Sequence, residues 1–390
     1  MPSVAIIGAG AAGCFCAAEL RRRVPELPVT LFEAASRPLA KVAITGGGRC
    51  NLTNSFEGIR SLAQAYPRGE RIMKRALQVF SQADTVEWFQ SRGVPLVLQP
   101  DHCWFPRSQD AMDIVRCLLR ALEGAEIRLN TPVTSLAPGL VNKEAFDYIV
   151  VTTGGAAKGL PLMEGLGLEL VPPVPSLFTF TVPDPALRSL MGLVVEASIG
   201  LAGTSFKAEG PLLITDWGLS GPATLRLSSY AARHLAQTGY KGTVSVNWLN
   251  SHEARVRELL QETASRNPRK QISSTHLLQA RLWNHLLGKA GLRPDIRWAE
   301  LGSKGFNRLV AVLTADNYPV SGKSKFREEF VTAGGVGLSN VNPNTLECKQ
   351  HPGLFFAGEV LDIDAITGGF NLQAAWSTGM VCAQSIIKSL

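Results

Sequence analysis

The chain has 390 residues, of which 45% are hydrophobic and 18% charged, a balance typical of a globular protein with two or three domains. No segment approaches the roughly 20 uninterrupted apolar residues of a membrane helix, so we expect no membrane partner. Seven cysteines without a C-x-x-C pair, scattered histidines and no signal-peptide pattern predict a cytoplasmic protein without disulfides or a metal site. The net charge of +7 is concentrated in one segment, described below.

The first predicted elements form a dinucleotide-binding pattern. Residues 4–7 are apolar and largely β-branched, which is typical of a buried parallel strand. Gly8, Gly10 and Gly13 follow at the spacing G-x-G-x-x-G. In this pattern the glycines allow a tight turn, a close approach to a pyrophosphate and close helix packing, while the next helix directs its free N–H groups at the phosphates.

An acidic residue ends the second predicted strand. Glu33 follows residues 29–32 and lies twenty positions after Gly13, where a carboxylate accepts hydrogen bonds from the hydroxyls of an adenosine ribose. A surface glutamate at a strand end is the alternative. A carboxylate also disfavours a 2′-phosphate, so the pattern favours an NAD-like nucleotide or FAD over NADP.

A further glycine-rich stretch, which we call the triple-glycine segment, spans residues 41–54. Three consecutive glycines flanked by Lys41, Arg49 and Asn51 make a poor core and a poor helix. They suit a loop whose backbone contacts a ligand, with the two cations available for phosphate. A plain flexible loop is the alternative.

The middle of the chain changes character twice. A buried strand ends at Gly154, and prolines from Pro172 onward mark a boundary to a β-rich region. The hydrophobic periodicity predicts the following segments: helices at 71–92 and 111–122, strands at 177–182, 194–201, 211–215 and 242–249, helices within 252–301, and a strand at 308–314.

The C-terminal part supplies a second ligand-binding pattern. A buried strand ends at Gly358 and Glu359, and a Gly-Gly turn at residues 368–369 begins a long helix. The N-terminus of that helix favours negative charge, such as that of a reduced flavin at its N1–C2=O edge. Two such patterns, one near each end of the chain, favour FAD over a nicotinamide cofactor.

The motifs together resemble those of the YhiN/BaiN-like FAD-dependent oxidoreductases, which are flavoproteins with two dinucleotide-binding domains. The resemblance covers nearly the whole chain and rests on four motifs: Lys41-x-x-x-Thr-Gly-Gly-Gly-Arg-Cys-Asn-x-Thr-Asn54, Gly218-Leu-Ser-Gly-Pro-Ala223, Gly334-Gly-Val336, and Gly358-Glu-Val-x-Asp362 continuing to Gly368-Gly-Phe-Asn371.

The resemblance implies an α/β fold with a Rossmann-like FAD-binding domain formed by both chain ends. It implies a β-barrel-like middle domain and a helical insertion. The expected domains are 1–172 with 331–390 for FAD, 173–250 with 306–330 for the β-rich domain, and 251–305 for the insertion.

FAD is the expected cofactor, with NAD(P)H as a transient electron donor. The predicted FAD-binding residues cluster in the glycine-rich motifs and are Gly8, Gly10, Ala12, Gly13, Glu33, Lys41, Gly46, Gly47, Gly48, Arg49, Asn51, Thr53, Val133, Thr153, Gly154, Gly358, Glu359, Asp362, Gly369, Phe370 and Asn371. Members of the family often have His where Asp216 stands, and this difference puts any shared catalytic role of Asp216 in doubt. They also often have Tyr where Phe370 stands.

The assigned substrates of the family differ widely and include bile acid intermediates, aminoacetone and a uridine of ribosomal RNA. Only the RNA substrate would explain the positive charge of residues 266–327. This segment contains twelve Lys and Arg and three acidic residues, which gives a net charge of +9. A merely solvated basic face is the alternative. The predicted RNA contacts are Arg266, Arg269, Lys270, Lys323, Lys325 and Arg327.

Three hypotheses therefore stay open. The protein is an FAD-dependent reductase that converts a ribosomal RNA uridine to dihydrouridine, an FAD oxidase or reductase of a small metabolite, or a non-catalytic flavin-containing RNA-binding factor. In the first, hydride passes from reduced FAD to the uracil ring and an acid supplies a proton. Cys50 is a candidate acid, and a structural thiol is the alternative for it.

Overall fold

The computed structural model describes residues 1–155, 157–324 and 331–390. The chain divides into two units: unit 1 comprises residues 1–174 and 331–390, and unit 2 comprises residues 175–330. Within the described ranges, none of the helices is both long enough and apolar enough to span a membrane.

Twenty strands are numbered in the part of the chain that the structure describes. They are β1 (Val4–Ile7), β2 (Val29–Phe32), β3 (Thr53–Asn54), β4 (Leu96–Leu98), β5 (Cys103–Pro106), β6 (Glu126–Arg128), β7 (Leu136–Ala137), β8 (Leu140–Val141), β9 (Glu144–Ala145), β10 (Tyr148–Val151), β11 (Leu170–Pro175), β12 (Phe180–Thr181), β13 (Val194–Leu201), β14 (Lys207–Ile214), β15 (Gly218–Ser220), β16 (Gly242–Asn247), β17 (Asp316–Val320), β18 (Gly322–Lys323), β19 (Thr332–Val336) and β20 (Leu354–Phe356).

The same described residues form thirteen α-helices. They are α1 (Ala11–Arg23), α2 (Ala40–Gly48), α3 (Leu62–Ala65), α4 (Glu70–Val79), α5 (Gln82–Gln90), α6 (Ala111–Ala121), α7 (Pro185–Arg188), α8 (Gly221–Tyr230), α9 (Ala232–Gln237), α10 (Glu253–Arg266), α11 (Ala280–Lys289), α12 (Gly302–Thr314) and α13 (Phe370–Ser389).

A parallel sheet of five strands forms the centre of unit 1. Its order is β20-β10-β1-β2-β6, and every pairing is parallel. Strand β1 lies in the middle and is fully buried, as its apolar sequence predicts for a strand covered on both faces. Because β20 comes from the C-terminal part of the chain, the predicted Rossmann-like fold from both chain ends is confirmed.

Most residues of helix α13 are buried within unit 1. It packs along α1, where Gly379 brings the two backbones together: a Cβ at that position would meet the carbonyl oxygen of Ala12 at 2.9 Å. The side chain of Gln373 is fully buried and accepts hydrogen bonds from the hydroxyls of Thr53 and Thr85. Its amide nitrogen donates to Ser377 Oγ at 2.9 Å, so all four hydrogen-bonding partners of this amide, including the carbonyl of Phe80, lie inside the protein.

Unit 2 contains a seven-stranded sheet in the order β17-β16-β13-β14-β15-β12-β18. Among the described residues no ladder joins β17 to β18, so the barrel-like prediction is replaced by an open antiparallel sheet. Helices α10, α11 and α12 share one hydrophobic core with this sheet, in which Trp248 and Trp283 are completely buried.

The strand predicted at residues 308–314 is wrong, because these residues form the second half of α12. Their apolar run is compatible with either element. In the structure Leu309, Val310 and Leu313 are buried while Arg308 is exposed, which is the spacing of one helix face.

We expect Gln373→Ala to lower the free energy of unfolding by about 2 to 4 kcal/mol, because it leaves several buried polar groups without partners. Urea denaturation measures this change. Gln384→Ala on the same helix is the matched control, since Gln384 is only half-buried, and it should shift stability by less than about 0.5 kcal/mol. Equal effects of the two substitutions would contradict the importance assigned to the buried amide.

Candidate functional site

The candidate site lies at the carboxyl edge of the parallel sheet. The loop after β1 carries Gly8, whose N–H donates to the carbonyl of Phe32 at the end of β2. The adjacent strand β10 leads into Thr152, whose hydroxyl donates to the Gly8 carbonyl at 2.8 Å. Ligands of doubly wound sheets bind at this edge, outside the ends of the strands.

The three fingerprint glycines differ in what surrounds them. Gly8 has φ +106°, and an ideal Cβ on it would lie 2.6 Å from the Thr152 carbonyl oxygen. A Cβ at Gly13 would overlap the Gly8 carbonyl and approach Thr152 Oγ1 at 2.5 Å. A Cβ at Gly10 would meet no described atom within 4 Å. Only Gly10 therefore borders open space, and it does so directly before α1.

Glu33 is oriented by the backbone on both sides of it. One carboxylate oxygen accepts from the N–H of Ala9 at 2.9 Å and the other from Ala35 at 2.8 Å. Each oxygen keeps a further lone pair for another donor. The side chain is half-buried beside the glycine loop, so its geometry suits the two hydroxyls of a ribose.

Thr153 supplies an independent test of whether a ligand fits here. Its Oγ1 is buried and has no hydrogen-bond partner among the described residues, although buried hydroxyls are normally paired. The orphaned hydroxyl lies just beyond β10, beside Gly154 with φ +76°. The residues present thus fit a group that brings its own polar atoms to this edge.

The triple-glycine segment is a short helical turn that becomes left-handed. Gly46, Gly47 and Gly48 have φ of +59°, +70° and +81°. A Cβ at Gly47 or Gly48 would meet no described atom within 4 Å, whereas one at Gly46 would meet Asn51 N at 2.9 Å. Two of the three glycines therefore expose their backbone to open space, although the segment predicted to be a loop begins as helix α2 and leaves helical geometry only at Thr45, Gly46 and Gly47.

The cations of this segment are both exposed. Lys41 Nζ lies 3.8 Å from a carboxylate oxygen of Glu359, whose other oxygen accepts from the Thr332 N–H at 2.8 Å. Arg49 stacks over the ring of Phe105 at 4.7 Å and donates to the Gly46 carbonyl. Both side chains remain available to an anion.

The structure brings the triple-glycine segment and the start of α13 together. Asn54 Nδ2 donates to the Gly368 carbonyl at 3.0 Å, and an ideal Cβ on Gly369 would lie 2.6 Å from the side-chain amide of Asn51 and from the Thr53 carbonyl oxygen. Trp376 Nε1 donates to the Leu52 carbonyl at 3.0 Å. Motifs more than three hundred residues apart in sequence thus form one wall.

The remaining C-terminal residues are held mainly by the protein itself. Asn371 exchanges two hydrogen bonds with the backbone of Ala365, and Asp362 accepts from the Gly334 N–H at 3.0 Å. Phe370 is buried with its ring 5.0 Å from that of Phe56. No side chain caps α13 and no acidic residue occupies its first turn, so its N-terminal N–H groups are what this end offers an anion.

Three further predicted residues flank the same edge. Gly358 donates to Thr378 Oγ1 at 2.9 Å, and a Cβ on it would lie 3.0 Å from that of Ala12. Val133 follows β6, in a segment tied to β2 by the hydrogen bond from Thr131 N to the Glu33 carbonyl. Thr378 was missed by the sequence analysis, because nothing in its local pattern separates it from other helical residues.

Cys50 is completely buried, and burial raises the pKa of its thiol to about 12. Its φ of +60° is uncommon for a residue with a side chain. These features favour the structural alternative over an acid that approaches a substrate.

The predicted RNA contacts belong to unit 2. Arg266, Arg269 and Lys270 are exposed, while Lys323 is half-buried and lies over the ring of Tyr240 at 5.2 Å. Lys325 and Arg327 lie outside the described residues. Within the described ranges, no group of three or more His, Cys, Asp or Glu could hold a metal ion.

The chain matches the family described as "HI0933-like protein Rossmann domain" over residues 2–385. It belongs to this family. The match confirms the YhiN/BaiN-like resemblance and, with the relatives below, the prediction of an FAD-dependent oxidoreductase.

Relatives of known name are similar along nearly their whole length. The chain is 30% identical to a ribosomal RNA dihydrouridine synthase of Escherichia coli over 98% of both chains. It is 28% identical to a 3-dehydro-bile acid delta(4,6)-reductase of Clostridium scindens over 99% of both. The FrdA subunit of Escherichia coli quinol fumarate reductase aligns at a TM-score of 0.50 and 14% identity, covering 100% of this chain and 71% of that one; this likeness shows the fold alone.

Gly10→Ala and Gly13→Ala should separate ligand binding from folding. The first adds a methyl group to open space, so we expect a folded protein with normal thermal stability that retains less FAD after purification. The second forces a methyl group into the Gly8 carbonyl, so we expect loss of folded protein. Flavin absorbance per protein and thermal unfolding measure both. A Gly10→Ala protein with full flavin content would contradict the expected pyrophosphate position.

Proposed function

We propose that the protein is an FAD-dependent reductase that converts a uridine of ribosomal RNA to dihydrouridine with electrons from NAD(P)H. The observation that carries this proposal is the 30% identity, over 98% of both chains, to a relative named for that reaction. Such a substrate would place the protein in the cytoplasm.

The residues at the sheet edge would hold FAD along its length. Bound FAD would supply hydride transfer. The N–H groups at the start of α1 and the backbone at Gly10 would bind the pyrophosphate, and Glu33 would accept from the ribose. The uncapped N-terminus of α13 would stabilise negative charge on the reduced ring system. The open backbone at Gly47 and Gly48 leaves room for a ligand beside it.

The electron donor would visit rather than reside. The sequence contains one G-x-G-x-x-G fingerprint, and FAD would occupy it. A nicotinamide nucleotide would therefore supply electrons from a site that it occupies only transiently.

The exposed cations of unit 2 support an RNA substrate. The loop at residues 267–272 runs beside residues 296–299, linked by the bond from Trp298 N to the Lys270 carbonyl. The side chains of Arg266, Arg269 and Lys270 have no hydrogen bond or ion pair among the described residues. Unpaired cations on a folded surface are available for phosphates.

Dihydrouridine in ribosomal RNA tests the reaction directly. We expect one uridine of the ribosomal RNA to lack the modification in a strain without this gene, and the cloned gene to restore it. Mass analysis of RNA fragments gives the readout. A Gly10→Ala gene is the control for FAD dependence, and it should restore less. Identical RNA in the two strains would refute the proposal.

A small-molecule substrate is the second candidate, favoured by the 28% identity to the bile acid reductase. In that case the reduced flavin should be reoxidised rapidly by a cyclic enone, and RNA should have no effect. Stopped-flow absorbance of the flavin distinguishes the two candidates. The family assignment gives no support to the third hypothesis, a non-catalytic factor.

Charge reversal tests the basic surface of unit 2. Arg269→Glu with Lys270→Glu should weaken binding to protein-free ribosomal RNA, and the slope of log affinity against log salt should fall by about 1.5 for two lost phosphate contacts. Lys207→Glu with Lys241→Glu is the matched control, because both lysines are exposed in the same unit. Equal losses in the two variants would show only a general charge effect.

A further inference from the structure

We propose that a basic stripe on α4 is a second docking site for RNA phosphates, located on unit 1. This inference rests on the proposed function and extends its substrate contact to the FAD-binding unit. The stripe comprises Arg71, Lys74, Arg75 and Gln78, which all lie outside the basic segment found in the sequence.

The helix arranges these residues on one face. Their spacing of three, four and seven positions aligns them along the solvent side of α4, and all four are exposed. The opposite face carries Ile72, which is buried against unit 1. The charged side chains are therefore fixed in direction by the packing of the helix beneath them.

The stripe borders a cleft of about 500 Å³. Its other walls are Val79, Pro343, Asn344 and Val381, and none of the lining residues among those described is acidic. Arg75 donates to Asn344 Oδ1, which fixes its guanidinium at the rim and leaves further N–H donors free. The cleft thus combines three cations with two amides and an apolar edge.

Several cations of unit 1 are held by carboxylates. Arg22, Arg116 and Arg128 each bind a carboxylate at 2.6 to 2.8 Å. Among the described residues, Arg71 and Lys74 have neither an ion pair nor a hydrogen bond from their side chains. Two adjacent unpaired cations repel each other, and an anion between them removes that cost.

The position of the cleft favours a long polyanion over the electron donor. Val381 follows the start of α13 by eleven residues, or about 16 Å at 1.5 Å per residue. A donor must place its nicotinamide ring against the flavin near that helix start. The phosphates of an RNA chain continue well beyond the nucleotide that reacts, so they suit a site at this distance.

The mixture of groups also matches RNA. Phosphate oxygens would accept from Arg71 and Lys74, as in most contacts between proteins and nucleic acids. Val79 is 37% exposed, and with Pro343 it offers an apolar surface to a ribose or base. The amide of Gln78 can bind a base edge or a 2′-hydroxyl.

Arg71→Glu with Lys74→Glu tests the site. We expect at least tenfold weaker binding to protein-free ribosomal RNA at moderate salt, and a salt slope lower by about 1.5. The matched control is Arg120→Glu with Lys143→Glu, which makes the same charge change at exposed residues of unit 1 and should bind within twofold of the unaltered protein. Flavin content and flavin reduction by NAD(P)H without RNA should stay unchanged in both.

The outcomes separate this inference from the proposed function. RNA binding by the stripe variant that equals that of the control overturns the inference, even if the deletion strain lacks dihydrouridine. Weak RNA binding by the stripe variant alone supports it, even if the RNA of the deletion strain is fully modified, which would refute the reaction instead. If the double reversal loses FAD, the milder Arg71→Gln with Lys74→Gln is compared in the same RNA-binding assay. Binding equal to that of the control again overturns the inference, and weaker binding again supports it.

Discussion

The buried amide of Gln373 is the interaction on which unit 1 depends. Its oxygen accepts hydrogen bonds from the hydroxyl of Thr53, near the end of the triple-glycine segment, and from that of Thr85 on α5. A buried amide tolerates no missing partner, because each unpaired polar group is costly away from water. This requirement fixes where α13 begins relative to the glycine segment. Gln373 therefore determines the shape of the candidate flavin site without having to contact the flavin.

The sequence predicts the backbone geometry of the candidate site well, because glycine patterns encode that geometry directly. The tight turn at Gly8, the open approach at Gly10 and the left-handed run at Gly46 to Gly48 all follow from positions that only glycine fills easily. Strands β1, β10 and β20 follow from short apolar runs that end shortly before Gly8, Gly154 and Gly358. The family resemblance then joined the two chain ends, which no local pattern could have done.

Other features lie beyond a single sequence. Residues 308–314 are apolar enough for a strand, and only the packing of Leu309 and Leu313 into unit 2 selects the helix. The open sheet depends on which strands meet across long sequence separations. The burial of Cys50 depends on neighbours distant in sequence, as does the orphaned hydroxyl of Thr153. Contacts between distant residues decide all these cases.

The arrangement of β20 beside β10 has a consequence for the order of folding during synthesis. Unit 2 is one continuous segment, residues 175–330, and can fold as soon as it leaves the ribosome. The first 174 residues of unit 1 cannot complete their fold until β20 and α13 have been synthesised. Throughout that interval the edge of the apolar strand β10 that later pairs with β20 is open, and an open apolar edge is prone to pair with other chains.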